Sequence, residues 1–146
     1  LPATMEAPLE AVVGAVDTAL AHGRILVVDD EAPVRDLLVR MLRTAGYQVI
    51  EASEGGEGVE KYAAARDQGE AIDLVVTDLT IPGGMGGKEA VARIRAQDPT
   101  ARVIVSSGYS NDLVMANFRQ YGFVGVLRKP YTRDDLLRVV GEALAT

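Results

Sequence analysis

From Arg24 to the end of the chain, short apolar runs alternate with longer stretches in which apolar residues recur every third or fourth position. The runs are rich in β-branched residues, which predicts strands at 25–28, 48–51, 74–77, 103–106 and 124–127. Helices are predicted at 33–45, 55–65, 88–97, 111–121 and 133–144. The first has Pro33 near its start and Gly46 just past its end, the asymmetry that helix termini favour. Its expected buried face is Val34, Leu37, Leu38, Met41 and Leu42, and the last helix repeats the pattern with Leu136, Leu137, Val140 and Leu144. Five strand and crossover-helix units predict an α/β fold built on a parallel sheet whose strands are buried on both faces.

Residues 1–23 read differently. Leu9, Val12, Val13, Val16 and Leu20 share one helical face, but the flanks hold two prolines, and the segment is expected to be a linker or an extra helix ahead of a domain spanning 24–146. The chain starts at Leu1 rather than Met, so it reads as a piece of a longer protein, with processing or tag removal as the other origin. At 146 residues, 48% hydrophobic and 25% charged, there is enough apolar surface for one sizeable core. A net charge of −6 leaves no basic stripe to neutralise phosphates, which argues against direct nucleic-acid binding. The absence of cysteine removes disulfides, thiolate metal sites and thiol nucleophiles, and is consistent with a reducing compartment. No apolar stretch reaches the roughly 18 residues of a membrane span, so no membrane contact is expected of this fragment, and its opening residues do not read as a signal peptide.

Ligands of an open parallel sheet bind beyond the carboxyl ends of its strands, and polar residues accumulate there. The first strand ends in Asp29-Asp30, the third in Asp78, the fourth in Ser106-Ser107 and the fifth in Arg128-Lys129-Pro130. Three carboxylates brought to one edge repel, each pair at about 4 Å costing about 1 to 4 kcal/mol. A hard divalent cation with oxygen ligands would offset that, and Mg2+ binds through one or two carboxylates with waters and phosphate oxygens. Acids, a hydroxyl and an ammonium at successive strand ends are the groups phosphoryl transfer needs.

Four motifs carry a family resemblance: Ile25-Leu26-Val27-Val28-Asp29-Asp30-Glu31, Asp78 followed by Pro82-Gly83, Ser107-Gly108-Tyr109, and Lys129-Pro130-Tyr131. In this order and spacing, residues 24–146 resemble the CheY-like receiver domain of bacterial two-component signalling. The resemblance implies a doubly wound, flavodoxin-like fold with strand order 2-1-3-4-5 and helices on both faces. It implies that Asp78 is the phosphoacceptor, taking a phosphoryl group from a phosphohistidine and switching conformation. Asp29, Asp30, Asp78 and the backbone carbonyl of Thr80 would hold Mg2+ or Mn2+, Ser107 would contact the phosphoryl group and Lys129 would pair with it. The implied partner is a histidine kinase or a histidine phosphotransfer domain. The stretches 78–87 and 106–112 are most similar to receivers at the C-terminus of hybrid sensor histidine kinases, and Leu1-Pro2-Ala3 looks like the close of a kinase ATP-binding domain. The implied location is cytoplasmic, on a parent that is a candidate for membrane attachment. Whether the fragment counts as an enzyme stays open, since it would assist only its own phosphorylation.

Two departures from the family pattern stand out. The loop after Asp78 is one residue longer than in the commonest receivers, and Val126 occupies the place, three before Lys129, where a switch aromatic usually sits; Tyr109 is the candidate substitute.

Plainer alternatives exist for each feature. Asp29-Asp30 suit a helix cap, Asp78 a turn, and Lys129 an exposed position before a proline; Ser106 is expected to point inward. Gly83-Gly84-Met85-Gly86-Gly87 suggests a phosphate loop, but Pro82 replaces its first glycine and Glu89 its Ser/Thr, so a flexible turn is expected. His22 is expected in the linker, and Phe118, Tyr121 and Phe123 in packing. Two functional rivals remain: a phosphatase of the haloacid dehalogenase type, against which Thr80 stands where a second acid should be, and a docking module that has lost phosphorylation.

Overall fold

Each predicted apolar run forms a strand. The computed structural model describes residues 22–108 and 113–146, so the segment 1–21 and Tyr109 lie outside the described residues. The strands are β1 (Arg24–Val28), β2 (Gln48–Ala52), β3 (Leu74–Asp78), β4 (Val103–Ser107) and β5 (Gly125–Arg128), and the helices are α1 (Ala32–Thr44), α2 (Gly55–Asp67), α3 (Gly87–Gln97), α4 (Leu113–Ala116) and α5 (Arg133–Leu144). All pairings are parallel, in the expected order β2-β1-β3-β4-β5.

Successive strand residues face opposite sides of a sheet, so each strand serves two cores. Leu26 and Val28 of β1 pack with Tyr62, Val91, Ile94 and Met115 from α2, α3 and α4. Ile25 and Val27 pack on the other face with Leu38, Leu42, Leu136 and Val140 from α1 and α5. This division follows from handedness: the step from β1 to β2 runs opposite to the later steps, so right-handed crossovers put α1 on one face and α2, α3 and α4 on the other. The reversal lies between β1 and β3, whose outgoing connections part there and leave a crevice at their carboxyl ends. Leu42 and Leu136 are fully buried, and truncating either to Ala removes about 2 to 5 kcal/mol.

Two helices differ from the prediction. On α1 the buried residues are Leu38, Val39 and Leu42, while Leu37 is 54% exposed. The apolar stripe is wider than the strip touching the sheet, and Val34, Leu37 and Met41 instead line a groove beside Lys129, Pro130 and Tyr131. The predicted helix 111–121 is broken, with α4 ending at Ala116 and a 3-10 turn following over Phe118–Tyr121. The break falls at Asn117, whose side-chain amide donates to the Leu113 carbonyl at 3.1 Å. The Asn117 backbone N–H donates to the same carbonyl at 3.0 Å, so the last helical bond is kept at a residue type of low helix propensity. Gly122 then takes the left-handed conformation (φ 99°) that closes the turn.

Candidate functional site

The three strand-end acids converge. Carboxylate oxygens of Asp29, Asp30 and Asp78 all lie within 4.8 Å of one another. Asp29 is fixed by its surroundings: its Oδ1 accepts from Glu31 N at 2.9 Å, its N–H donates to the Ala52 carbonyl at 3.1 Å, and Arg35 Nη1 donates to its carbonyl at 2.7 Å. Arg35 also reaches Glu51 Oε1 on β2 at 3.2 Å, which ties the first turn of α1 to the ends of two strands.

Asp78 is the last residue of β3, and the next peptide is anchored by Leu79 N donating to the Ser106 carbonyl at 2.8 Å. Lys129 follows β5, its N–H donating to the Ser107 carbonyl at 2.9 Å. Its ammonium reaches Asp78 Oδ2 at 3.4 Å and Asp29 Oδ2 at 3.6 Å. Among the described residues, the Lys129 ammonium thus pairs with two of the three clustered carboxylates. Burial pushes the Asp78 carboxyl up to about 6; the charges of Asp29 and Asp30 add to the rise and Lys129 opposes it. The residual negative charge and the clustered oxygen donors fit a hard divalent cation in contact with Asp29, Asp30 and Asp78.

The crevice above these acids is lined by Asp30, Glu31, Asp78, Thr80, Pro82, Ser107, Gly108 and Lys129. Thr80 and Ser107 thus line the same crevice as Asp30, Asp78 and Lys129. The two serines separate by strand alternation: Ser107 lines the crevice, whereas Ser106 shares the parity of Ile104, which packs in the α1/α5 core. Ser106 is 4% exposed and its Oγ has no hydrogen-bond partner among the described residues. Val126 packs against the core of the α2, α3 and α4 face.

The glycine run is not a loose turn. Gly83 alone of these glycines has a positive φ (77°). A Cβ on Gly86 would fall 2.4 Å from the Leu79 carbonyl oxygen, and one on Gly87 2.8 Å from that of Asp78. The connection therefore hugs its own stem, which only glycine permits.

Some contributors were not singled out from the sequence. Glu31 lines the crevice through its adjacency to Asp30. Tyr131, two residues past Lys129, has its hydroxyl pushed up to about 12, by burial first and then by the charges of Asp29 and Asp78. Arg35 lies four residues past Glu31 in the first turns of α1, and that helical spacing was the available signal for it.

Comparison with known proteins agrees with this geometry. The response regulator receiver domain family matches residues 25–141. The chain is 33% identical over 126 residues to the chemotaxis protein CheY of Bacillus subtilis, covering 86% of this chain and 99% of that one. It is 34% identical over 120 residues to the sensor kinase CckA of Brucella abortus, covering 82% of this chain but 12% of the kinase. Among solved structures, a CheX–CheY–BeF3–Mg complex from Borrelia burgdorferi superposes with a TM-score of 0.77 at 27% identity, covering 85% of this chain and 90% of that one. Strand order, the acidic crevice and these similarities converge: the chain belongs to the response regulator receiver domain family of two-component signalling.

Proposed function

We propose that this receiver accepts a phosphoryl group on Asp78 from a phosphohistidine, in the presence of Mg2+ or Mn2+. The observation that carries it is the meeting of Asp29, Asp30 and Asp78 with Lys129 at the sheet's switch point. An Asp78 carboxylate oxygen supplies the electron pair for the new O–P bond, while the N–P bond of the donor breaks and its electron pair stays on the imidazole nitrogen. Lys129 offsets charge on the phosphoryl oxygens, and the Ser107 hydroxyl donates a hydrogen bond to one of them. Asp29 and Asp30, with the Thr80 carbonyl as a further ligand, would hold the cation beside Asp78, where it neutralises phosphoryl charge. Added charge at the strand ends then shifts the balance between two arrangements of the surrounding elements.

Receivers take their phosphoryl group from histidine kinases or phosphotransfer domains, and such a domain is the proposed donor here. The similarity to one stretch of CckA supports a hybrid kinase as the parent, with residues 1–23 as its linker to the receiver. Among the described residues no helix is long and apolar enough to cross a membrane, and a cytoplasmic site of action is proposed. The test is intact mass after incubation with acetyl phosphate or phosphoramidate, with and without Mg2+. A single phosphoryl adduct is expected in the wild type with Mg2+ and none in Asp78→Asn; an adduct persisting in that variant refutes the assignment.

A further inference from the structure

The connection from β3 to α3 carries Thr80 and Pro82 into the crevice, and its far end is held from outside the site. Its stem is closed by Gly87 N donating to the Leu79 carbonyl at 3.0 Å, and its turn by Gly84 N donating to the Ile81 carbonyl at 3.1 Å. Beyond the turn, both backbone groups of Met85 bond to the start of α2. The Met85 carbonyl accepts from Gly55 N at 2.7 Å, and Met85 N donates to Glu54 Oε1 at 3.3 Å. The same carboxylate caps α2, with Oε1 accepting from Gly56 N at 2.7 Å and Oε2 from Glu57 N at 2.9 Å.

The contact is also steric. A Cβ on Gly84 would lie 2.9 Å from Glu54 Cβ, and one on Gly55 would lie 2.4 Å from the Met85 carbonyl oxygen. Both glycines let the two backbones approach. The bonds from Gly56, Glu57 and Met85 hold the Glu54 carboxyl below the usual carboxylate range, so it is ionised at neutral pH.

We infer that Glu54 is a positioning residue for the phosphorylation site: by holding Met85 against the start of α2, it sets where the β3–α3 connection presents Thr80 to the cation. This rests on the proposed function, in which the Thr80 carbonyl is a ligand. Glutamate is longer than a cap requires, since Asp caps helices well with one methylene fewer. The extra reach is what meets Met85.

Two substitutions separate the roles. Glu54→Asp keeps a capping carboxylate on α2 but falls short of Met85. Glu54→Gln keeps the length and an acceptor oxygen for Met85 but gives up one oxygen of the cap. Mg2+ affinity is read by calorimetric titration, the looseness of the connection by hydrogen exchange at the Met85 amide, and the cap by thermal melting without Mg2+. In Glu54→Asp the Met85 amide exchanges faster and the Mg2+ Kd rises roughly threefold to tenfold, below the loss usual for groups that directly orient a metal ligand, with melting little changed. In Glu54→Gln the Mg2+ Kd stays near wild type while melting falls. Gly84→Ala, which leaves both α2 residues in place and presses the connection away, gives the Glu54→Asp pattern and decides the matter should Glu54→Asp fail to fold. Wild-type Mg2+ affinity in Glu54→Asp, or in Gly84→Ala in that event, overturns the inference alone. A wild-type protein that binds no Mg2+ overturns it together with the proposed function.

Discussion

Asp78 sits in an environment that opposes its own charge, and this has a thermodynamic sign. Its carboxyl titrates near 6 in the folded protein against an ordinary 3.8, so the folded state binds that proton more tightly than the unfolded state does. Stability from this group is greatest below about pH 4 and is lost as pH rises toward 6. Other carboxylates act oppositely: Glu57 is held down to about 2, first by the Ser53 backbone N–H, and Asp98 is lowered first by the Thr100 hydroxyl. The difference between wild type and Asp78→Asn isolates the one group. In chelator-treated protein the variant is expected to match wild type near pH 4 and to exceed it by about 1 to 3 kcal/mol at pH 7, allowing for solvent screening. Urea unfolding at both pH values checks this, and a gap that does not widen with pH contradicts the electrostatic account. The neighbouring serines make a second pair of expectations. Ser106 carries a buried hydroxyl without a partner among the described residues, a burden of about 1 to 3 kcal/mol. Ser106→Ala is therefore expected to keep or raise stability and leave acetyl-phosphate labelling unchanged, whereas Ser107→Ala slows labelling. Equal slowing by both would mean that the two side chains share the crevice.

Among the elements, α4 shows where sequence pattern stops being decisive. Spacing predicted one helix over 111–121, but among the described residues α4 stops at Ala116, before Asn117, whose backbone and side-chain N–H groups both donate to the Leu113 carbonyl. Asn117→Ala is expected to join α4 to the following 3-10 turn, raising helical circular dichroism with a gain of at most about 0.7 kcal/mol from intrinsic propensity; an unchanged spectrum would place the break in tertiary packing instead. The sheet and its order were legible because each strand is apolar on both faces and the crossovers are right-handed, leaving few arrangements. The acids and Lys129 were legible because strand ends of a parallel sheet converge whatever the connections do. Side chains that act through connections were not legible: Glu54 reaches Met85 across 31 residues, and no periodicity encodes that approach. Leu37 was misplaced for a related reason, since a helix can roll by one residue without changing its hydrophobic spacing.

For the whole molecule, that roll determines what surface surrounds the site. The chain carries a net charge of −6, but its apolar surface beside the site offers a donor local contact that does not depend on charge. The groove formed by Val34, Leu37, Leu38 and Met41 with Pro130 and Tyr131 includes Lys129, the residue that pairs with Asp78. On the proposed function, an apolar surface that shares Lys129 with the Asp78 ion pair is well placed to seat a protein donor, whereas a small donor such as acetyl phosphate needs only the crevice. Leu37, 54% exposed, separates the two cases. Leu37→Ala removes apolar contact area at a helix surface position where Ala is well tolerated, so stability is expected to change by less than about 0.5 kcal/mol. Transfer from a phosphorylated histidine kinase or phosphotransfer domain is expected to fall roughly tenfold in kcat/KM, equivalent to about 1.4 kcal/mol of lost contact. Labelling by acetyl phosphate is expected to stay at the wild-type rate. Equal losses with both donors would show that Leu37 supports the site itself, and no loss with the protein donor would place docking on another face.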